Sequence, residues 1–141
     1  MEELLSLVDE DTAAFNAIMD AYGLPKGTEQ EKARRTAAIQ EATLYAAQVP
    51  LRTMGAALKA LPLALEMAQK GNPASASDAG VAALAAVAAI RGARLNVRIN
   101  CAGLQDKNAS LPLIQRSNAI VAEALKLESQ ILAAVEKNIE Q

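Results

Sequence analysis

The stretch from Ala79 to Asn100 constrains the fold of this chain more than any other part of the sequence. Alanine and other apolar residues fill positions 79–90, and the sequence continues without a proline into Arg-Leu-Asn-Val-Arg-Ile-Asn at 94–100. Such a run predicts one long α-helix, because alanine has the highest helix propensity and no strong breaker interrupts the pattern. Small side chains also let neighbouring helices approach closely, so we expect this helix to lie at the centre of a bundle.

The polar residues of this helix occur at selected helical phases. At about 100° per residue, several residues fall within roughly 40° of the direction of Asp78. They are Ala82, Ala85, Ala89, Gly92, Asn96, Asn100 and Gly103. Three arginines, Arg91, Arg94 and Arg98, fall on the opposite side. A carboxylate at one end of a small-residue face and two amides at the other predict a polar groove inside the bundle.

The first half of the chain is predicted to form three helices. Apolar residues recur from Leu4 to Tyr22 with helical spacing and predict a first helix with an inward stripe of Leu4, Val8, Phe15, Ile18 and Tyr22. Thr28 and Glu31 form a capping-box pattern that starts a second helix, which we expect to run to about Gln48. Pro50 should bend or restart the chain, and Pro62 should kink the third helix, which ends at Lys70.

The second half predicts two more helices. Ser75 or Ser77 is expected to cap the central helix, with Asp78 in its first turn and an end near Leu104. Ser110 is expected to cap a last helix from about Leu111 to Ile139. With no strand pattern anywhere, the prediction is an all-α bundle of four to six long helices around an Ala/Gly-rich central helix.

The composition predicts a thin hydrophobic core. Nearly a quarter of the residues are alanine, and only three, Phe15, Tyr22 and Tyr45, are aromatic. Each buried residue therefore removes little apolar area from water. We expect a homodimer that shares burial between two subunits.

Composition also excludes several classes of function. The chain has no histidine, which rules out Ser-His-Asp catalysis and histidine metal sites. Its one cysteine, Cys101, cannot form an intramolecular disulfide, so we expect a reducing, cytoplasmic location. A net charge of −2 without a basic patch argues against nucleic acid. The apolar run of 79–90 is short and mostly alanine, so no membrane partner is expected.

Four separated segments of this sequence resemble the cyclodeaminase/cyclohydrolase family of folate enzymes. They are Leu7-Val-Asp-Glu-Asp-Thr-Ala-Ala-Phe-Asn16, Leu24-Pro-Lys26, Ala47-Gln-Val-Pro-Leu51, and the central segment from Gly71-Asn-Pro-Ala-Ser-Ala-Ser-Asp-Ala-Gly80 to Asn100. The likeness covers about residues 4–106. The family's pattern also includes an N-terminal segment with a Pro-Gly-Gly-Gly-Ser type turn, which this sequence does not match. The resemblance thus implies one helical domain of this kind over residues 1–141, N-terminally shortened and dimeric.

The resemblance implies chemistry on the one-carbon bridge of tetrahydrofolate. The cyclodeaminase closes the formimino group of 5-formiminotetrahydrofolate to the methenyl bridge with loss of ammonia. The cyclohydrolase opens that bridge with water to give 10-formyltetrahydrofolate. Both reactions pass through a delocalised cation and a tetrahedral carbon, so they need a carboxylate and a proton-moving group and no metal or other cofactor.

Asp78 is the first candidate for the carboxylate, because it lies on the small-residue face where the resemblance is densest. An acid in the first turn of a helix also complements the helix dipole without any further role. Asp11 is the second candidate, since it falls on the apolar stripe of the first helix. Arg35 lies similarly on the second helix, and the two could form a partly buried structural ion pair or a tuned catalytic group.

The remaining candidates would bind substrate. Lys26 and Arg35 or Arg52 could hold the carboxylates of the folate glutamate tail. Ser77 could contact ligand at a helix N-terminus or be only a cap. Asn96 and Asn100 could bind ligand or bond neighbouring backbone, and they lie roughly 27–33 Å along the helix from Asp78.

Two further interpretations of the sequence stay open. The chain could be a folate-binding or helical assembly protein that kept the fold and lost the reaction. It could also be a shortened gene product whose missing helices come from a partner subunit. The sequence does not separate the two folate reactions, because both need the same arrangement of charge.

Overall fold

The computed structural model describes residues 2–140, and the side chains from Glu3 onwards. The prediction of an all-α fold is confirmed. The helices are α1 (Glu2–Tyr22), α2 (Glu29–Leu58), α3 (Ala60–Lys70), α4 (Pro73–Gly103) and α5 (Lys107–Ile139). No strand occurs among the described residues. The long central helix of the sequence analysis is α4, which packs against α2, α3 and α5.

The capping-box prediction is confirmed at the start of α2. The Thr28 hydroxyl accepts from the Glu31 amide at 3.1 Å, and a Glu31 carboxylate oxygen accepts from the Thr28 amide at 3.1 Å. Both side chains satisfy amides that the first helical turn leaves without a carbonyl partner. The start of α2 is therefore fixed by two residues visible in the sequence.

The predictions that α2 ends near Gln48 and that the chain restarts at Pro50 were wrong. Helix α2 runs through Pro50 to Leu58, and the break to α3 comes at Lys59. Pro62 lies in the first turn of α3, where a missing amide proton costs little, so it does not kink the helix. A proline inside a helix leaves one carbonyl without a hydrogen-bond donor. In α2 this is the carbonyl of Ala46, and the side chain of Asn100 donates to it.

The predicted caps of the last two helices were also wrong. Asn72 caps α4, since its side-chain oxygen accepts from the Ser75 amide at 2.9 Å, and Pro73 occupies the first helical position. Neither Ser75 nor Ser77 is the cap, and Asp78 lies in the second turn. Asp106 caps α5, one turn earlier than the expected Ser110.

Side-chain contacts fix the directions of the helices. Gln40 of α2 bonds the carbonyl of Gly103 and Arg94 of α4 bonds Asn118 of α5, so α2 and α5 both run antiparallel to α4. Helix α1 runs antiparallel to α2, because Glu3 pairs with Lys59 near one end of α2 and Tyr22 contacts Arg35 near the other. Helix α1 therefore runs parallel to α4, with α2 beneath both.

The main core lies between α2, α3, α4 and α5 and is built largely from alanine. Its largest fully buried side chains are Met54, Leu61, Ile90, Ile120 and Ile131. Ala83 of α4 and Ala124 of α5 are completely buried. A Cβ at Gly80 would lie 3.3 Å from Val135, so the glycine lets α4 approach α5 closely. This packing is what the alanine content predicted.

A smaller core joins α1 to α2, and it corrects the predicted stripe of α1. Leu7, Ala14 and Ala21 are buried there, with Ile18 packed beside them. The expected inward residues Leu4, Val8, Phe15 and Tyr22 are exposed. Ile18 is the one residue of the expected stripe that packs in this core, and the buried positions 7, 14 and 21 each come one residue before an expected position. Alanine occupies two of these three positions, so the stripe is hidden in the sequence.

Helix α4 is the one helix of the described chain that is long and apolar enough to cross a membrane by length and composition, and one third of its apolar window is buried. The sequence-based expectation that its apolar run is too short was therefore wrong. One such helix is weak evidence for a membrane, because the core helix of a bundle passes the same test.

Candidate functional site

A groove between α1 and α4, with α2 as its floor, brings two predicted site residues together. Asp11 of α1 and Asn96 of α4 both line it, with Thr12 of α1 and Pro50 and Thr53 of α2. The apolar part of the wall comes from Leu4, Leu7, Val8 and Ala93. Its volume is about 280 Å³, slightly below the roughly 300–1,000 Å³ of small-molecule pockets.

The polar groups of this groove can stabilise a charged ligand and exchange protons with it. The Asp11 carboxylate can stabilise a cation or accept a proton, and the Asn96 amide can donate one hydrogen bond and accept another. The hydroxyls of Thr12 and Thr53 donate to the carbonyls of Val8 and Val49 at 3.2 Å, which leaves their oxygens able to accept. Apolar walls around a few polar groups are typical of ligand sites.

Asn100 has a structural role in this arrangement. Its side-chain amide donates to the carbonyls of Ala46 and Asn96, both at 3.0 Å. Ala46 is four residues before Pro50, so its carbonyl would otherwise lack the helical donor that proline cannot supply. The bond satisfies that carbonyl and fixes the register of α4 on α2. The bonding to neighbouring backbone considered in the sequence analysis is thus observed for Asn100.

Asp78 lies far from this groove within one chain. It is exposed in the second turn of α4, eighteen residues before Asn96, which corresponds to about 27 Å along the helix. Asp78 and Asp11 therefore do not share a site in a single copy of the chain.

The small-residue face of α4 is not buried, which corrects the predicted interior groove. Ala82, Ala85, Ala89, Gly92, Asn96 and Gly103 are exposed. The core face of α4 carries Ala79, Ala83, Ile90 and Val97 and is turned about 100–140° from the Asp78 direction. Alanine occurs on both faces, so the helical phases of the sequence could not show which one points inward.

The predicted ion pair between Asp11 and Arg35 does not form. Arg35 donates its Nε to the Tyr22 carbonyl at 3.1 Å and stacks over the Tyr22 ring, 5.4 Å from its centroid. The acid of α1 that pairs with an arginine of α2 is Glu10, which contacts Arg52. Arg35 thus holds the end of α1 to α2, well away from the groove.

The structure does not bring Lys26 or Ser77 to the groove. Lys26 is exposed in the loop between α1 and α2, and Ser77 is exposed near the start of α4. Arg52 and Lys59 lie on the other side of α1, in a charged cleft with Glu3 and Glu10. Both cations of the cleft are paired, Arg52 with Glu10 and Lys59 with Glu3. Sequence reasoning gave Arg52 only as an alternative to Arg35.

A second cavity of about 460 Å³ lies further along α1 and α2. Alanines and Leu24 form most of its wall, and Asp20, Glu41 and Tyr45 supply its polar groups. Neither this cavity nor the smaller groove has a lysine or arginine in its described lining. The smaller groove is the better candidate because it brings together Asp11 and Asn96, two residues that the sequence analysis had singled out.

Comparison with known proteins identifies the family. The family model described as Formiminotransferase-cyclodeaminase matches residues 1–137. The chain belongs to this family. A methenyltetrahydrofolate cyclohydrolase from Methylorubrum extorquens is 41% identical over 136 residues, which cover 96% of this chain and 65% of the relative. The formimidoyltransferase-cyclodeaminase of Gallus gallus is 36% identical over 138 residues, which cover 97% of this chain and 25% of the relative.

The fold of the family is shared as well. A formiminotetrahydrofolate cyclodeaminase from Thermotoga maritima superposes with a TM-score of 0.79 at 24% identity, covering 94% of this chain and 62% of that one. This chain thus spans less than two thirds of each of these relatives.

Sequence reasoning missed several residues of the groove. Thr12, Thr53 and Pro50 line it, although Thr12 and Pro50 lie inside segments that carry the family resemblance.

Gln40 was also missed. Its side chain donates to the Gly103 carbonyl at 3.1 Å and accepts from the Gln105 amide at 2.7 Å, fastening the end of α4 to α2. Helical spacing on α2 places Gln40 on the stripe of Thr43 and Ala47, and this was the available signal.

Proposed function

We propose that this chain acts on the one-carbon bridge of reduced folate, as a methenyltetrahydrofolate cyclohydrolase or a formiminotetrahydrofolate cyclodeaminase. The observation that carries the proposal is the meeting of Asp11 and Asn96 in one groove of a chain that belongs to this family. The 41% identity to a cyclohydrolase favours the first of the two reactions. The protein would work in the cytoplasm as a homodimer, with no cofactor or metal ion.

In the cyclohydrolase reaction, water adds to the bridging carbon of the cationic methenyl group and the bond from this carbon to N5 breaks. The Asp11 carboxylate would stabilise the cation as it enters and take a proton from the attacking water. The same carboxyl would return the proton to N5 as that nitrogen leaves. The hydroxyl on the carbon then loses its proton to solvent as the formyl C=O forms, so the reaction releases one proton overall. Asn96 would hold the substrate through its side-chain amide. The NH2 group can donate a hydrogen bond to an acceptor on the edge of the pterin ring, and the amide oxygen can accept one from a donor there.

The same arrangement serves the cyclodeaminase reaction. There N10 attacks the formimino carbon, and ammonia leaves after it receives a proton. Asp11 would take the proton from N10 and supply one to the leaving nitrogen. The two reactions differ in which group leaves the tetrahedral carbon, so one carboxylate beside one amide suits both.

Spectrophotometry and calorimetry test the proposal together. The purified protein should accelerate the loss of methenyltetrahydrofolate absorbance above the rate in buffer, or release ammonia from formiminotetrahydrofolate. No rate with either substrate would contradict the enzymatic proposal. Calorimetric binding of folates without turnover would instead favour a folate-binding protein, and neither binding nor turnover would favour a helical assembly protein.

A further inference from the structure

Helix α1 forms one wall of the groove but is held in place by α2 alone. Among the described residues, α1 packs against α2 and against no other helix. It supplies five of the residues that line the groove, Asp11 among them, and α4 supplies Ala93 and Asn96 on the other wall. The place of Asp11 in the groove therefore depends on how α1 sits on α2.

The apolar contact between α1 and α2 near Asp11 is made largely of small side chains. Leu7 and Ala14 of α1 are buried, and they pack against Ala46 and Val49 of α2. Alanine removes little apolar area from water and has no long side chain to insert between the ridges of a facing helix. This core thus sets how closely α1 approaches α2, but it resists a rotation of α1 about its own axis only weakly.

Glu10 and Asp11 lie on opposite flanks of this buried stripe. At about 100° per residue, each points about 50° from the mean direction of Leu7 and Ala14, one to either side. Leu7 lines both the groove that contains Asp11 and the charged cleft that contains Glu10. Because the two acids are neighbours on one helix, α1 cannot turn without moving both. A rotation of about 20° would carry each carboxylate about 2 Å.

Glu10 ties this part of α1 to α2. One of its carboxylate oxygens accepts from the Arg52 guanidinium, and the Tyr45 hydroxyl donates to the same oxygen at 3.5 Å. Tyr45 and Arg52 are seven residues apart on α2, which corresponds to about two helical turns. The Glu10 carboxylate is thus held at a point on α2 between two side chains, and this opposes a rotation of α1.

The other polar contacts of α1 with α2 lie further from Asp11. Glu3 pairs with Lys59 eight residues before it, and the Tyr22 carbonyl accepts from Arg35 eleven residues after it. These separations are about 12 Å and about 17 Å along the helix. Glu10 is therefore the contact that can control the orientation of α1 at Asp11.

The pair of Glu10 and Arg52 is too exposed to matter greatly for the stability of the fold. The Arg52 side chain is 51% exposed and the Glu10 side chain 33% exposed, and ion pairs of this kind contribute little to the free energy of unfolding. Position is a different matter, because a misplacement of about 1 Å can slow a reaction about 100-fold. The pair therefore acts on the geometry of the groove more than on the folding equilibrium.

We propose that Glu10 is a positioning residue, which fixes the rotation of α1 by pairing with Arg52 and so holds Asp11 in the groove. The role in catalysis rests on the proposed function of the groove, whereas the holding of α1 does not.

Steady-state kinetics with methenyltetrahydrofolate test the role in catalysis. Glu10→Ala should lower kcat about 10–100-fold and change KM by less than about threefold, since binding groups outside α1 remain. Alanine favours the helix, so unfolding of α1 would not account for the loss. Glu3→Ala breaks the ion pair with Lys59 and is the matched control, which should keep the wild-type kcat. A wild-type kcat in Glu10→Ala, or a rise of KM alone, would overturn the proposal.

Arg52 gives a second test. Because Arg52 acts through Glu10, Arg52→Ala should lower kcat as Glu10→Ala does, and the double variant should be no slower than either single one. Arg52→Lys keeps a cation beside Glu10 and should be faster than Arg52→Ala. Effects that multiply in the double variant, or equal rates for Arg52→Lys and Arg52→Ala, would show that Arg52 acts separately and would overturn the pairing as the cause.

Hydrogen exchange tests the holding of α1 without an assay of activity. Glu10→Ala should speed the exchange of the amides of residues 7–14 several-fold, because α1 loses its polar contact with α2 there. Asp9→Ala, at an exposed acid of the same helix, should leave this exchange unchanged. Equal exchange in wild-type protein and Glu10→Ala would overturn the proposal. A wild-type protein without turnover would instead defeat the proposed function, and the exchange rates would still decide whether Glu10 holds α1.

Discussion

The side chain of Asn100 donates to the carbonyl of Ala46 at 3.0 Å, which Pro50, four residues further along α2, leaves without a helical donor. One bond thereby lets α2 continue through a proline and fixes α4 against it. The same register places Asn96, one turn before Asn100, in the groove that Asp11 also lines. The groove therefore depends on a contact between two segments that the family resemblance picked out separately.

Replacing Asn100 should destabilise the fold. Asn100→Ala leaves the partly buried Ala46 carbonyl without a donor, which costs about 1–3 kcal/mol. Urea denaturation followed by circular dichroism measures the change in the free energy of unfolding. Asn118→Ala is the control, because Asn118 is exposed and bonds only the Arg94 side chain, and it should cost less than half as much.

A double-mutant cycle separates this bond from general packing. In a Pro50→Ala background the amide at position 50 can bond Ala46 itself, so Asn100→Ala should then cost clearly less than in the wild-type background. The difference between the two values of the free energy of unfolding measures the coupling. Equal costs in both backgrounds would show that Asn100 does not compensate for Pro50.

Two glycines should respond to alanine in opposite directions. A Cβ at Gly71 would lie 2.5 Å from the Met67 carbonyl oxygen and 3.0 Å from the Ser75 Cβ, so Gly71→Ala should cost about 1–3 kcal/mol through overpacking. A Cβ at Gly55 meets nothing within 4 Å of it, so Gly55→Ala should add about 0.5–1 kcal/mol through helix propensity. Thermal denaturation of both variants compares them, and a stabilising Gly71→Ala would contradict the packing described for this turn.

The thiol of Cys101 should be protected from modification. Burial raises the pKa of the Cys101 thiol, and nearby Lys107 opposes this only in part. The native state therefore holds the thiol proton to higher pH than the unfolded state, whose thiol has a pKa of about 8.5. This contribution to stability is present below that pKa and is lost as the pH rises above it. A thiol reagent at pH 8 should react much more slowly with native than with urea-unfolded protein, and equal rates would contradict the burial.

The sequence predicted those parts of the fold that depend on local chemistry. The Thr28–Glu31 capping box and the extent of α1 could be found because propensity and capping act over a few residues. The family resemblance also placed Asp11 and Asn96 in segments that meet in the groove. Asp11 was named because it falls on the predicted apolar stripe of α1, and Asn96 because it shares the helical phase of Asp78. Asp11 is in fact exposed, so it lines the groove for a different reason from the one that singled it out.

The orientation of helix faces could not be predicted in the same way. Alanine is compatible with a buried or an exposed position, so the stripes of α1 and α4 were assigned to the wrong sides. The Asp11–Arg35 pair failed because it assumed that both side chains point inward, whereas Arg35 bonds the Tyr22 carbonyl. The contact of Asn100 with Ala46 joins residues 54 positions apart, and no local pattern in the sequence indicates it.

We propose that the groove of Asp11 and Asn96 performs chemistry on reduced folate. The most direct test is the rate at which methenyltetrahydrofolate loses its absorbance with wild-type protein, Asp11→Asn and Asp9→Asn. Asp9 is an exposed acid two residues away on the same helix and does not line the groove. We predict that Asp9→Asn keeps the wild-type rate and that Asp11→Asn lowers it at least 100-fold, on the order of the contribution of a general acid or base, with helical circular dichroism unchanged. Equal rates for all three proteins would contradict the claim.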